Sequence, residues 1–491
     1  MIVGEKIMHQ DTLHNRTVKG AAWSFADNIL RLGVSFIVGI VLARLLTPDE
    51  YGLIGIITIF INVFNGIVDS GFSNALIRKK DANGTDYNTV FWSNLLVSIV
   101  LCGVLFFCAG LIADFFDRPQ LKPLTQVMSV IVIINAFAII QRTILVKRID
   151  FKTQTKVSFI SSIASGVIGI AMAFAGCGVW SLVGQQISAQ LLNSAFLWIY
   201  NNWKPKLEFS LRSFRELFGF GWKLLVAGLL DSIWKELYQV IIGKKYMAST
   251  LGLYTRAQQF TNLFSTNITQ VVQRVSYPAL AEIQDDKVHL KEAYKRVIKV
   301  TMLVTFLLMM GLAGVSKNFI YCLIGEKWMA CVPMLQILCF QMMLFPLHAI
   351  NLNMLQVQGR SDLFLKLEVI KKIVAIVPLL LGIFIGIYWM LIGSVITGLI
   401  AYYLNAYYSG PYLNYSIKEQ VIDILPSFLI ALFVGVLLYF IGLFQINHFV
   451  GLAIQVLVGL CVSYILVTLF KLQEFKEMQD MATSVIRKFK K

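Results

Sequence analysis

The chain has 491 residues, of which 57% are hydrophobic and only 14% are charged, and its mean hydropathy is +0.71. Soluble proteins carry about a quarter charged residues, so this composition excludes an ordinary soluble globular protein. The formal net charge of +16 does not indicate nucleic-acid binding here, because lysines and arginines in the loops of a membrane protein set its topology.

Apolar runs of about 20 residues recur from Val18 to Phe470, and each is long enough to cross a hydrocarbon core about 30 Å thick as a helix. The chain is therefore predicted to be an all-α polytopic membrane protein. Fourteen spans are predicted, at residues 20–42, 52–76, 88–112, 123–146, 157–175, 179–200, 219–243, 251–276, 297–320, 332–357, 366–386, 389–408, 425–443 and 449–470.

The connections between spans alternate between basic and nearly uncharged segments. The basic ones are IRKKD (77–81), KRIDFKTQTK (147–156), KPKLEFSLRSFRE (204–216), KVHLKEAYKRVIK (287–299) and the tail RKFKK (487–491). The opposite side carries no lysine or arginine in GCGVW (176–180), GIYW (386–389) and FQINH (444–448). An excess of lysine and arginine marks the cytoplasmic side, so both termini are predicted to be cytoplasmic. The polar residues 1–17 are not expected to form a cleavable signal peptide.

Paired motifs indicate an internal repeat. They open spans 1 and 7 (GAAW at 20–23 and GFGW at 219–222), spans 2 and 8 (YGL at 51–53 and LGL at 251–253), and spans 6 and 12 (WSLVG at 180–184 and WMLIG at 389–393). Partners lie about 200 residues and six spans apart, so the two halves insert in the same orientation, and a site is expected between two lobes near mid-membrane. The predicted division is an N-lobe at 1–200 (spans 1–6), a C-lobe at 201–410 (spans 7–12), and spans 13–14 with a basic tail at 411–491.

Polar side chains share one face on each of spans 1, 2, 7 and 8. These faces hold Asp27 and Arg31 in span 1, Asn62, Asn65 and Asp69 in span 2, Asp231, Lys235, Tyr238 and Gln239 in span 7, with Glu236 at the edge, and Arg256, Asn267, Gln270 and Arg274 in span 8. An ionised side chain at a helix centre costs about 2.5–3.5 kcal/mol on insertion scales, which favours a functional polar cavity. The structural alternative is mutual neutralisation, since Asp27/Arg31 and Asp231/Lys235 are i,i+4 pairs.

Several other residues have both a structural and a functional interpretation. Arg142 and Arg274 lie near the cytoplasmic ends of their spans, where they either line the cavity or extend to the interface. His348 in span 10 is interpreted as an interior histidine rather than a proton relay. Cys322 and Cys331 flank one loop and are expected to be unpaired thiols rather than a disulfide.

The chain lacks the signatures of a membrane enzyme. The sequence contains no G-x-x-x-x-G-K-[ST] motif, and its five histidines show no metal-ligand spacing. The predicted external loops are too short to hold a catalytic domain. The chain is therefore predicted to be a transporter driven by an ion gradient, with no cofactor and no metal site.

Two sets of segments resemble a known family. LARLLTPDEYGLIGI (42–56), DSGFSNALIRKKD (69–81) and NTVFWSN (88–94) resemble the amino-terminal signature of Wzx-type flippases, in the polysaccharide-transport branch of the MOP (multidrug/oligosaccharidyl-lipid/polysaccharide) exporter superfamily. LGLYTRAQQF (251–260), SYPALAEIQDD (276–286) and GEKWMACVPMLQIL (325–338) resemble the second half of the same family. The resemblance implies a V-shaped bundle of two six-helix lobes plus two C-terminal helices.

The resemblance also implies an activity, which is the movement of a polyprenyl-pyrophosphate-linked oligosaccharide across the bacterial inner membrane through a cationic cavity. Such an oligosaccharide is a repeat unit of O-antigen, capsule or exopolysaccharide. The expected partners are this lipid, H⁺ or Na⁺ as counter-ion, membrane lipids, and the polymerase and glycosyltransferases of the same pathway. The alternatives are a multidrug exporter of the same superfamily, which would favour an acidic, aromatic cavity, and a non-transporting membrane scaffold of a glycan-synthesis complex.

The helical faces assign roles within this cavity. The expected substrate-binding cations are Arg31, Lys235, Arg256, Arg274 and Arg142, which would offset desolvation of the diphosphate. The expected polar lining is Asn62, Asn65, Asn267, Gln270, Tyr238 and Gln239. The expected ion-coupling residues are Asp231 first, followed by Asp27, Asp69 and Glu236.

Overall fold

The computed structural model describes residues 30, 32–69, 71–79, 81–283, 285–358, 360–444, 446–476 and 479. Within these ranges it leaves undescribed the side chains of residues 223, 224, 227, 231, 274, 275, 277–279, 281, 356 and 361. Every regular element in the described ranges is helical, so the predicted all-α class is confirmed.

The chain folds as two compact units, the first ending at Gly252 and the second beginning at Leu253. The described helices of the first unit are α1 (Leu32–Leu45), α2 (Pro48–Asp69), α3 (Phe72–Arg78), α4 (Gly84–Phe107), α5 (Ala109–Phe115), α6 (Leu121–Met128), α7 (Val130–Lys147), α8 (Phe151–Phe174), α9 (Trp180–Tyr200) and α10 (Leu211–Lys245). The predicted lobe boundaries at 200 and 410 remain predictions.

Helix α11 (Ala248–Glu282) begins in the first unit and continues in the second. The second unit also holds α12 (Lys287–Ile324), a 3₁₀ helix (Glu326–Cys331), α13 (Val332–Met342), α14 (Phe345–Val357), α15 (Ser361–Val374), α16 (Ile376–Phe384), α17 (Ile387–Leu413), α18 (Ile417–Ile441) and α19 (His448–Leu469). Its most extensive helix packing joins α12 to α18.

Nine helices in the described part of the chain are long and apolar enough to cross a membrane, so the polytopic membrane fold is confirmed. The count of fourteen spans stays a prediction; helices or adjoining helix pairs overlap the predicted spans from 52–76 onward, and most of the predicted span 20–42 lies outside the described residues. Helix α10 is not among the nine, and its middle carries Asp231, Lys235 and Glu236. Its charge therefore explains its lower hydropathy.

A proline explains why span 10 is divided into α13 and α14. Pro346 has no N–H to donate to the carbonyl of Met342, one turn earlier. The hydroxyl of Ser265 on α11 donates to that carbonyl instead, at 2.6 Å. The break therefore leaves this backbone acceptor satisfied inside the apolar second unit.

A chain of amide side chains attaches α18 and α19 to α12. Gln455 Nε2 donates to the carbonyl of Leu438 at 2.7 Å, and Gln455 Oε1 accepts from Asn318 Nδ2 at 2.9 Å. Asn318 Oδ1 lies 2.7 Å from Nδ1 of His448. Because that oxygen accepts, Nδ1 of His448 is the donor in this contact. These directional hydrogen bonds thus fix the position of α19 along α12 and α18.

The first turns of α2 and α11 touch backbone to backbone. They contain Gly52 and Gly252, which lie at matched positions of the predicted internal repeat. A Cβ atom on Gly52 would lie 1.7 Å from the carbonyl oxygen of Ala248, and one on Gly252 would lie 1.9 Å from that of Pro48. No side chain fits at either position, so this close approach of the two backbones requires glycine at both. This contact lies within the first unit.

The connection between α9 and α10, residues 201–210, is named the strap. Side chains from two helices hold the strap by hydrogen bonds, and they belong to Asn88, Thr89 and Trp92 on α4 and Gln141 on α7. Asn88 uses both ends of its amide: Oδ1 accepts from the N–H of Lys206, and Nδ2 donates to Glu208, both at 3.1 Å. The strap is thus an integral part of the first unit.

Candidate functional site

The predicted polar faces of spans 2 and 7 meet in the structure. The Glu236 carboxylate on α10 accepts a hydrogen bond from Asn62 Nδ2 on α2 at 3.0 Å and another from Gln239 Nε2 at 2.7 Å. Glu236 and Gln239 are both partly buried. Three residues predicted as separate members of a cavity therefore form one hydrogen-bonded cluster of the first unit, in which Asn62 is exposed.

A second polar chain starts one helical turn further along α2. Asn65 Oδ1 accepts from Asn135 Nδ2 on α7 at 3.0 Å. Asn135 Oδ1 in turn accepts from Gln190 Nε2 on α9 at 2.8 Å. These bonds define the orientation of each amide, and they connect the predicted polar face of α2 with the interior of α7 and α9.

This chain leads to a cavity of about 300 Å³ between α7, α8 and α9, named the α7–α9 cavity. Its lining comprises Arg142, Gln154, Val157, Ser158, Ser161, Ser162, Ala189, Gln190, Asn193 and Leu197. Arg142 Nη2 lies 3.4 Å from Asn193 Oδ1, to which it donates. Of the five predicted cations, Arg142 is therefore placed in a cavity lined mainly by neutral polar side chains.

Two buried polar atoms of this lining have no hydrogen-bond partner among the described residues. They are Gln154 Oε1 and Ser161 Oγ, and Ser161 is only 2% exposed. Leaving a buried polar atom unpaired costs about 1–3 kcal/mol. Ser158, by contrast, donates to the carbonyl of Gln154 at 2.9 Å. The cavity thus presents unused hydrogen-bonding capacity to whatever occupies it.

Arg256 is placed differently from Arg142. Its side chain is only 5% exposed, and its guanidinium carbon lies 5.6 Å from the centre of the buried Trp328 ring. Arg256 Nη1 donates to Gln259 Oε1 at 2.6 Å. The structure therefore gives Arg256 a packing role in the second unit, and its predicted contact with substrate stays a prediction.

Two other predicted residues make local hydrogen bonds. Asp69 at the end of α2 accepts from the side chain of Ser73, whose hydroxyl also accepts from Thr143 on α7 at 3.0 Å. Asn267 donates to the carbonyl of Leu263 in its own helix at 2.5 Å. Asp69 therefore helps join α2 to α3 and α7.

The remaining predicted residues are not brought into one cluster among the described side chains. Lys235 and Gln270 are exposed, and Tyr238 is partly buried. Asp27 and Arg31 lie outside the described residues, as do the side chains of Asp231 and Arg274. His348 lies inside the second unit with Nδ1 3.4 Å from Asn405 Nδ2. Cys322 and Cys331 are buried free thiols.

Most residues that line the α7–α9 cavity could not be predicted from the charged positions of the sequence. On α8, positions 154, 158 and 161 follow each other at helical spacing, and on α9 positions 186, 190 and 193 do the same. These neutral polar stripes on α8 and α9 are the signal that could have revealed the cavity. The predicted faces depend on charged residues, which these two stripes lack.

Comparison with known proteins matches the chain to a family of polysaccharide biosynthesis proteins. Residues 41–333 match the model of a family described as polysaccharide biosynthesis protein. The chain is 25% identical to the lipopolysaccharide biosynthesis protein WzxC of Escherichia coli (strain K12) over 444 residues, which cover 88% of this chain and 89% of the relative. It is 28% identical to the teichuronic acid biosynthesis protein TuaB of Bacillus subtilis (strain 168) over 472 residues, covering 93% and 96%.

Among solved structures, the fold is similar to that of the lipid II flippase MurJ in its inward closed conformation. The TM-score is 0.71, and the match covers 92% of this chain and 98% of MurJ. Sequence identity is 17%, so this likeness shows the fold alone.

Proposed function

Because the chain belongs to the polysaccharide biosynthesis protein family, we propose that it is a flippase for a polyprenyl-pyrophosphate-linked oligosaccharide. The family match over residues 41–333 carries the proposal. The lipid would pass from the cytoplasmic to the periplasmic leaflet of the inner membrane by alternating access of the predicted lobes. Both termini would be cytoplasmic, and the protein itself would change no covalent bond of its substrate.

The interior of the first unit supports this proposal. An oligosaccharide head group carries many hydroxyls, and moving these groups out of water without new hydrogen bonds is costly. The α7–α9 cavity supplies amides, hydroxyls and one guanidinium. On the predicted orientation it lies near the cytoplasmic end of spans 4–6, where a lipid-linked precursor made in the cytoplasm would first bind.

Transport assays on reconstituted protein test the function. Proteoliposomes should move a polyprenyl-diphosphate-linked oligosaccharide into the leaflet where an impermeant glycosidase reaches it. Protein-free vesicles are the control for spontaneous movement. Efflux of a cationic dye without movement of the lipid would instead indicate a multidrug exporter, and the absence of both would indicate a scaffold.

Coupling to a proton or sodium gradient is the finer part of the proposal, and Glu236 is its best-placed candidate among the described side chains. An ionised carboxylate accepts hydrogen bonds only, whereas its protonated form also donates. Both contacts of Glu236 are accepted bonds, from Asn62 and Gln239. A change in its protonation would therefore rearrange the contact between α2 and α10.

The Glu236→Gln variant is expected to flip substrate without responding to an imposed pH gradient, since glutamine cannot exchange a proton. Initial flipping rates in proteoliposomes with and without the gradient measure this response. Glu282→Gln, at an exposed position near the end of α11, is the matched control and should keep the response. A gradient-responsive Glu236→Gln variant would exclude Glu236 as the coupling residue and leave Asp231, Asp27 and Asp69.

A further inference from the structure

We propose that the α7–α9 cavity is a sugar-binding subsite that receives one sugar residue of the head group and not the diphosphate. The inference rests on the proposed function for the source of the sugar. It assigns the sugar and the diphosphate of the substrate to different places. The sugar hydroxyls would bind in this cavity, and the diphosphate would bind elsewhere.

The charge of the lining argues against the diphosphate. Arg142 is the single cationic residue among the described lining side chains, and it already donates to Asn193. A diphosphate ester carries at least two negative charges, and a buried charge without a partner is strongly destabilising. One shared guanidinium therefore compensates it poorly. The same guanidinium matches the single carboxylate of an acidic sugar, to which arginine binds in bidentate geometry.

The unpaired atoms of the lining point to a ligand that donates hydrogen bonds. Gln154 Oε1 is a carbonyl oxygen and accepts only, so its partner must carry an N–H or O–H. An ionised diphosphate has no such group, whereas every free hydroxyl of a sugar has one. Ser161 Oγ both donates and accepts, as a sugar hydroxyl also does. A sugar therefore satisfies both atoms, and a diphosphate cannot satisfy Gln154.

The size of the cavity suits one sugar residue. Small-molecule sites range from about 300 to 1,000 Å³, and this cavity of about 300 Å³ lies at the lower end. Val157, Ala189 and Leu197 add apolar surface to the lining, which suits the C–H face of a pyranose ring. We expect a neutral hexose to bind and a hexuronic acid to bind more tightly through Arg142.

Protection of an introduced cysteine tests the inference. Ser162→Cys, at a partly buried position of the lining, is placed in a full-length chain whose seven native cysteines are replaced, and its reaction with a small thiol reagent is timed in detergent. The probes are glucose, glucuronate and inorganic diphosphate. A probe that binds the cavity, added at three times its dissociation constant, leaves about a quarter of the sites free and so slows labelling about fourfold. Glucuronate should give this protection at lower concentration than glucose, and inorganic diphosphate should give none.

Four further variants sharpen the result. A chain that keeps only the exposed Cys177 should label at one rate with every probe, which controls for effects of sugar on the reagent. Arg142→Gln should remove the advantage of glucuronate over glucose, and Gln154→Leu should weaken protection by both. If Ser162→Cys does not fold, Ala189→Cys, which is also partly buried, reports on the same cavity.

The outcomes separate this inference from the proposed function. Protection by diphosphate without protection by sugars would overturn the inference, and so would the absence of protection by any probe. Wild-type protein that flips lipid-linked oligosaccharide while no sugar protects would leave the function standing without this subsite. Sugar protection in a protein that flips no lipid would keep the subsite and remove the proposed function.

Discussion

The Gly52→Ala variant is expected to lose about 3 kcal/mol of folding stability or more, at the upper end of the cost of overpacking. The added methyl group would lie 1.7 Å from the carbonyl oxygen of Ala248. That obstacle is backbone within a helix, so no side-chain rotation relieves it, and the two helix starts must separate. Gly252→Ala faces the carbonyl oxygen of Pro48 at 1.9 Å and should behave in the same way.

Gly103→Ala on α4 is the matched control, because a Cβ there meets nothing within 4 Å. In a helix interior, alanine is more favourable than glycine by about 1 kcal/mol, so this variant should be neutral or stabilised. The measurement is the temperature at which half of the protein is lost from the monodisperse peak in size-exclusion chromatography. Equal melting temperatures for Gly52→Ala and Gly103→Ala would contradict the close backbone contact.

Arg256→Ala is expected to reduce stability by about 2–4 kcal/mol, in the range of large-to-small substitutions in cores. It would leave a gap above the fully buried Trp328 and remove the hydrogen bond to Gln259. The lost contact between the guanidinium and the indole ring is worth about 2 kcal/mol or more when desolvated. Arg256→Lys should recover only part of the loss, since an ammonium group lacks the planar surface that stacks on a ring.

Arg212→Ala is the control, because Arg212 lies exposed on the first turn of α10. Thermal stability and flipping rate should be measured on the same preparations. We expect Arg256→Ala to lower the yield of folded protein before any effect on transport is seen. A fully stable Arg256→Ala protein with a lost flipping rate would instead support the predicted substrate contact.

The sequence predicts the helices and one part of the site. Hydrophobic runs reveal membrane helices because a side chain that faces the bilayer must be favourable to transfer from water into hydrocarbon. Charges such as Glu236 stand out against that background, and the predicted faces of spans 2 and 7 meet through its bond to Asn62. The strength of the signal reflects the large cost of a charge in hydrocarbon.

The α7–α9 cavity and the environment of Arg256 were not predictable in the same way. Serine in a helix can bond to a carbonyl of its own helix, as Ser158 does, so a serine stripe is compatible with a lipid-facing surface. Arg256 meets Trp328, which lies in a short 3₁₀ helix far along the chain. A helical face shows which residues point together but not which later segment covers them.

The strap carries a consequence for how this chain tolerates evolutionary change. Asn88, Thr89 and Trp92 bind its peptide groups at Lys206 and Ser210, and peptide groups are present whatever side chain follows. The side chains that determine the path of the strap therefore lie on α4, far from the strap in sequence. Lys206 can therefore be replaced by other residues that carry a backbone N–H. Replacing Asn88, in contrast, removes both a hydrogen-bond acceptor and a donor.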